Sequence, residues 1–186
     1  MNTVRIADTL GVRAWLLIAA ITALVRITLL KVENTLNEKP QWREIAGKKR
    51  LYNKAFPDRD DVILWDILPV RDGEKLKLDF ESKNSEREQG LRLACDTGIT
   101  GDDWTGKGVL LWYDHSPHEI TFTCHTQDGF LSIYNIWDRG KGPESQKHSS
   151  GMLVEELPSG RRYRCNDIGF DTEFDKLVFR IEREHR

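Results

Sequence analysis

The sequence predicts a mainly β protein: an antiparallel β-sandwich or jelly-roll-like domain preceded by one N-terminal hydrophobic helix. Three observations carry this. One long apolar run, Ala14 to Leu30, stands near the start. Beyond residue 54, short stretches alternate apolar and polar side chains at the period of two that suits a half-buried strand. Three tight-turn pairs, Asp72-Gly73, Asp128-Gly129 and Ser159-Gly160, punctuate those stretches.

Charge divides the chain in the same way. The 186 residues carry a formal net charge of −2, yet residues 1–54 hold 10 Lys+Arg against 4 Asp+Glu, and residues 55–186 hold 18 against 26. The total lacks the basic excess of a nucleic-acid binder. A hydrophobic content of 39% excludes a charged disordered chain. Three cysteines, Cys95, Cys124 and Cys165, are too few for a disulfide scaffold. Each falls in an expected strand and reads as a buried small hydrophobe. One disulfide plus one free thiol stays open for an exported domain.

Residues 1–13 form a short tail. As a helix, residues 14–30 reach about 25 Å, the short end for a membrane span. Arg26 interrupts the run, at a mid-bilayer cost of about 2.5–3.5 kcal/mol that the neighbouring Leu, Ile, Ala and Val outweigh. An uncleaved single-pass transmembrane or signal-anchor helix is expected. A cleaved signal peptide lacks a clean small-x-small site, and a helix packed on the domain is the third reading. Residues 31–54 read as a basic juxtamembrane linker, with Lys48, Lys49 and Arg50 facing anionic lipid. The positive-inside count favours a cytoplasmic C-terminal domain, a signal anchor the opposite side, and both stay open.

Residues 55–186 are the β domain. Around Asp72-Gly73 a hairpin register sets Pro69 against Leu76, Ile67 against Leu78 and Trp65 against Phe80. It also sets Asp66 against Asp79. Around Asp128-Gly129, Phe122 meets Asn135 and Cys124 meets Ile133, and Tyr134 shares a polar face with Thr123 and His125. Around Ser159-Gly160, Val154 meets Cys165 and Glu155 meets Arg164. Further strands are expected at 91–95, 109–114 and 177–183, the last with Leu177, Phe179 and Ile181 on one face. The stretch Arg139 to Ser150 reads as a long mobile loop.

Chemistry is sparse. Gly101 to Gly108 approaches a P-loop, but Gly108 replaces the Mg²⁺-binding hydroxyl, Asp102 and Asp103 repel phosphate, and a strand follows in place of a helix. A Gly-rich connection between strands fits better. Asp96, Asp102 and Asp103 permit a calcium reading, but they lack EF-hand spacing, and no cofactor is expected. His115, His118, His125, His148 and His185 are scattered, and no nucleophile elbow surrounds Ser149 or Ser150.

The strongest binding signal is aromatic. Trp104 and Tyr134, with His125, Asp138 and Arg139, join rings to polar groups that suit a carbohydrate or a peptide. Trp112 and Trp137 alternate with apolar neighbours and read as core. The leading expectation is a membrane-anchored, non-enzymatic domain binding a carbohydrate, peptide or protein partner. The alternatives are an envelope-associated hydrolase or carbohydrate-active enzyme using loop residues such as Asp102 and His148, and a structural subunit of a membrane complex.

Overall fold

The structure, a computed structural model, describes residues 49–184. Eleven strands are present: β1 (Leu51–Tyr52), β2 (Ile63–Pro69), β3 (Glu74–Lys83), β4 (Glu88–Thr100), β5 (Thr105–Trp112), β6 (Glu119–His125), β7 (Phe130–Asp138), β8 (Pro143–Glu144), β9 (Gly151–Leu157), β10 (Gly160–Asn166) and β11 (Leu177–Arg183). No helix occurs among the described residues, and none there is long and apolar enough to cross a membrane. The expected anchor at residues 14–30, the tail before it and most of the linker lie outside the described residues.

The mainly β, antiparallel character holds. Pairing runs β2-β9-β10-β11-β3-β6-β4-β7 and returns to β2, closing an eight-stranded barrel that does not divide clearly into a sandwich. Strands β1, β5 and β8 add to β2, β4 and β7. Closure removes most open edges, a standing liability of antiparallel sheets.

Both Asp-Gly turns form as turns, but neither closes a hairpin. β2 pairs with β7, Asp66↔Ile133 to Pro69↔Phe130, and β3 pairs with β6, Glu74↔Cys124 to Asp79↔Glu119. Thus β2-turn-β3 runs beside β6-turn-β7 as two bent strands, and the turns are stacked corners. The Val70 N–H donates to Gly129 O at 2.9 Å, and the Gly73 N–H donates to Cys124 O at 2.8 Å. Gly73 and Gly129 supply the left-handed φ of 74° and 81° that the corners need. The expected pairs Trp65–Phe80, Ile67–Leu78 and Phe122–Asn135 are therefore absent, and Asp66 does not face Asp79. In β2 the buried side chains are Ile63, Asp66 and Leu68, and beside the turn the buried face, with Asp66 and Leu68, is opposite to the one the hairpin register selected.

The third turn does close a hairpin, with its register two residues away. Tyr163 meets Val154, Arg162 meets Glu155, and Gly160 already pairs with Leu157. The turn residues are Pro158 and Ser159. Gly160 belongs to the strand, because a Cβ there would lie 1.9 Å from Ile181 O on β11.

Inside the barrel, Leu76, Leu78, Leu91, Leu93, Phe122, Leu131, Ile133 and Tyr163 pack with Leu177, Phe179 and Ile181. The face expected for β11 is the one buried. Fully burying each Leu or Phe contributes roughly 1.5–3 kcal/mol. The outer faces of β3, β9, β10 and β11 are laced with ion pairs: Arg162 with Glu81 and Glu155, Arg180 with Asp79, and Arg183 with Glu74. A wall so charged does not suit lipid.

One seam is thin. β2 meets β9 through a single backbone pair, Ile63↔Met152. Beyond it a side-chain network continues the closure. The fully buried Asp66 carboxylate accepts from Arg50 Nε at 2.7 Å, Arg161 Nη1 at 3.0 Å and the Tyr163 hydroxyl at 2.8 Å. Arg161 Nη1 also donates to Ile67 O at 2.7 Å, and Glu156 accepts from both arginines. Arg50, expected to face lipid, is thus committed to the barrel. Lys49 is exposed, and Lys48 lies outside the described residues. Burial and the negative Asp66 beside it both push the Tyr163 hydroxyl well above its ordinary pKa.

Candidate functional site

The outer face of β7, β4 and β5 differs from the charged wall. Register alignment brings Tyr134, Arg92 and Leu110 into one row, Arg92↔Tyr134 and Arg92↔Leu110. Tyr134 touches the Trp65 ring at 5.2 Å between centroids, and the Arg92 guanidinium carbon sits 5.7 Å from the Tyr134 centroid. This cation–π contact contributes about 0.5–1 kcal/mol at such a half-exposed site.

Gly108 leaves room for the arginine, since a Cβ there would come within 3.1 Å of Arg92 Nη2. Most arginines of the described chain hold a carboxylate; Arg92 holds none among the described residues. Leu110, at the end of the row, is 41% exposed.

β5 carries the row to an edge. Among the described residues it pairs with β4 alone. Its eight residues extend about 26 Å, and Thr105 to Gly108 are exposed. Two tryptophans bracket it. Trp104 covers Gly101, where a Cβ would fall 2.3 Å from the indole, and Trp112 covers Gly90, with its Cε3 3.0 Å from such an atom. The near-P-loop sequence therefore splits between a turn under Trp104 and the first half of β5.

The expected binding residues fall at three levels along β4. Trp104 and His125 are close to its C-terminal end. There Thr100 Oγ1 lies 3.2 Å from both His125 Nε2 and Thr105 Oγ1. Tyr134 sits midway, opposite Arg92. Asp138 and Arg139 lie at the far end, where Asp138 pairs with Glu88. Both have local work. Asp138 Oδ1 accepts the N–H groups of Gly140, Lys141 and Gly142 at 2.6–3.0 Å, and Arg139 pairs with Glu144. The long loop they open is thereby organised, and it contains β8.

The calcium aspartates separate as well. Asp96 accepts the N–H groups of Gln127 and Asp128 and fastens the second corner. Burial alone would raise its pKa. Hydrogen bonds from Thr126 and the backbone outweigh that and hold the carboxyl below its ordinary value. Asp102 and Asp103 are exposed in the turn before β5.

Among the described residues no three His, Cys, Asp or Glu side chains converge as metal ligands do. His115 meets Glu88, His118 packs at a tilt against Tyr113, and His148 meets Phe170 edge-on. Ser149 Oγ accepts the Gly169 N–H, and Ser150 Oγ donates to Lys147 O. A cleft of about 720 Å³ at one barrel end is lined by Arg71, Glu74, Lys75, Ser159 and Arg183, and the Ser159 hydroxyl donates to Glu182 Oε1 at 2.6 Å.

No protein-family model matches this chain, and no curated protein matches it in sequence. Function must therefore be read from the site itself. Two features of it escape sequence reasoning. Arg92 and Leu110 are distant neighbours of Tyr134 that only the β4 pairings reveal, and the openness of β5 depends on the whole strand order.

Proposed function

We propose that this chain is a non-enzymatic binding module that takes an extended polypeptide segment along β5, and that its N-terminal segment anchors it to a membrane. The observation that carries the reading is the one-sided pairing of β5 beside the Tyr134–Arg92–Leu110 row. An unpaired edge offers a ladder of N–H and C=O groups to a partner strand, and alternate side chains supply selectivity. A carbohydrate finds less here. Arg92 and Trp65 already engage the Tyr134 ring, and Trp104 is packed over Gly101.

The test is selection of a random peptide-display library on the full chain in mild detergent. Enriched peptides should lose at least about tenfold in affinity to Leu110→Lys, the loss of one strong contact. A library that never enriches, or peptides that bind Leu110→Lys and Arg92→Ala as well as the parent, would exclude β5 as the docking edge.

A further inference from the structure

Cys95 and Cys124 are separated by 29 positions, yet the fold places both in one buried cluster. Residues Gly90 to Ala94 of β4 pair with β7, and Gly98 to Thr100 pair with β6. Between them the β4–β5 register shifts, from Ala94 to Ile99. Cys95 sits in that irregularity. Cys124 faces Ile99 at the end of β6, and Asp96, next to Cys95, accepts the N–H of Gln127, three residues beyond Cys124, at 3.1 Å. Both belong to the apolar interior, Cys95 at 5% and Cys124 at 0% exposure. Cys165 is equally buried on β10, and burial alone raises its thiol pKa.

We propose that Cys95 and Cys124 are a redox pair that closes an intrachain disulfide across β4 and β6 when the chain folds in the presence of a small-molecule disulfide oxidant. Each thiol gives up its proton, one bond forms between the two sulfurs, and the pair loses two electrons. The oxidant's own S–S bond breaks and takes up both electrons and both protons as two thiols. Attack requires a thiolate. The contact with Cys95 and burial both push the Cys124 thiol upward, so the folded dithiol reacts slowly. Exchange is fast only while the interior that buries the pair is open. Oxidation during folding is therefore the productive route. The pair marks the compartment in which the chain matured: dithiol after folding in a reducing one, disulfide after folding in an oxidising one.

The test refolds the full chain from denaturant in detergent, once with oxidised plus reduced glutathione and once with excess reductant. Both samples are then alkylated under denaturing, non-reducing conditions, digested and mapped by mass. The expected oxidised product contains one linkage, Cys95 to Cys124, with Cys165 alkylated. Closing this loop should raise Tm by about 10 °C over the reduced sample, and Cys124→Ala should abolish the difference. Three alkylated cysteines in the oxidised sample, or a linkage through Cys165, would overturn the assignment. So would an unchanged Tm despite the linkage.

Discussion

Asp66→Asn tests how the barrel is closed. The substitution keeps shape and volume while deleting the charge that Arg50, Arg161 and Tyr163 share. Removing one partner of a buried ion pair typically costs 3–5 kcal/mol, because the remaining charge is left buried. Here the arginine side chains keep 25% and 14% exposure, and Glu156 remains beside both. Those features reduce the expected loss to about 2–4 kcal/mol. Since β2 and β9 share a single backbone pair at this seam, little else compensates. For a domain of this size the loss corresponds to about 6–12 °C in Tm. Urea unfolding followed by tryptophan fluorescence would give the same difference as a fall in midpoint at constant m. Asp61→Asn, which breaks the exposed Arg59–Asp61 pair, is the control and should change stability by less than about 1 kcal/mol. If Asp66→Asn unfolds within about 0.5 kcal/mol of the parent, the network is not what holds the seam.

Gly160→Ala should lower Tm far more than Gly106→Ala, because a Cβ at 160 meets Ile181 O at 1.9 Å whereas one at 106 has its nearest neighbour at 3.5 Å; parallel thermal melts decide. Acid should weaken the second corner. The folded Asp96 carboxyl titrates below its unfolded value, so its contribution is present above the unfolded pKa, about 4, and is lost as pH falls through the folded one. Asp96→Asn should therefore flatten the fall of Tm below pH about 4, and an unchanged slope would assign acid sensitivity elsewhere. Arg92→Ala should cost less than about 1 kcal/mol in thermal unfolding, since it removes a surface cation–π contact and no ion pair.

Local chemistry was legible in the sequence; partnership was not. The alternation of Leu177, Phe179 and Ile181 reports a buried face whichever strands flank it. Asp72-Gly73 and Asp128-Gly129 announce turns because glycine accepts their left-handed φ. Whether such a turn reverses a strand onto its neighbour or bends it round a corner depends on β4 inserting between β6 and β7, and no local signal encodes that insertion. Gly160 misleads for a related reason. Its glycine is required by Ile181, 21 positions later. Among the expected site residues, Tyr134 stands in a plausible surface row, and the β4 register separates Asp138 and Arg139 from it. The hairpin register set Asp66 against Asp79, whereas its counter-charges, Arg50 just before β1 and Arg161 on β10, come from segments far apart in the sequence.

Amide hydrogen exchange on the full chain, with and without a saturating selected peptide, tests the central claim most directly. Occupation of the β5 edge should slow exchange at outward-facing amides within residues 105–112 and leave the charged wall of β9 to β11 unchanged. Protection concentrated on any other strand, or none on β5 at saturation, would contradict binding along this edge.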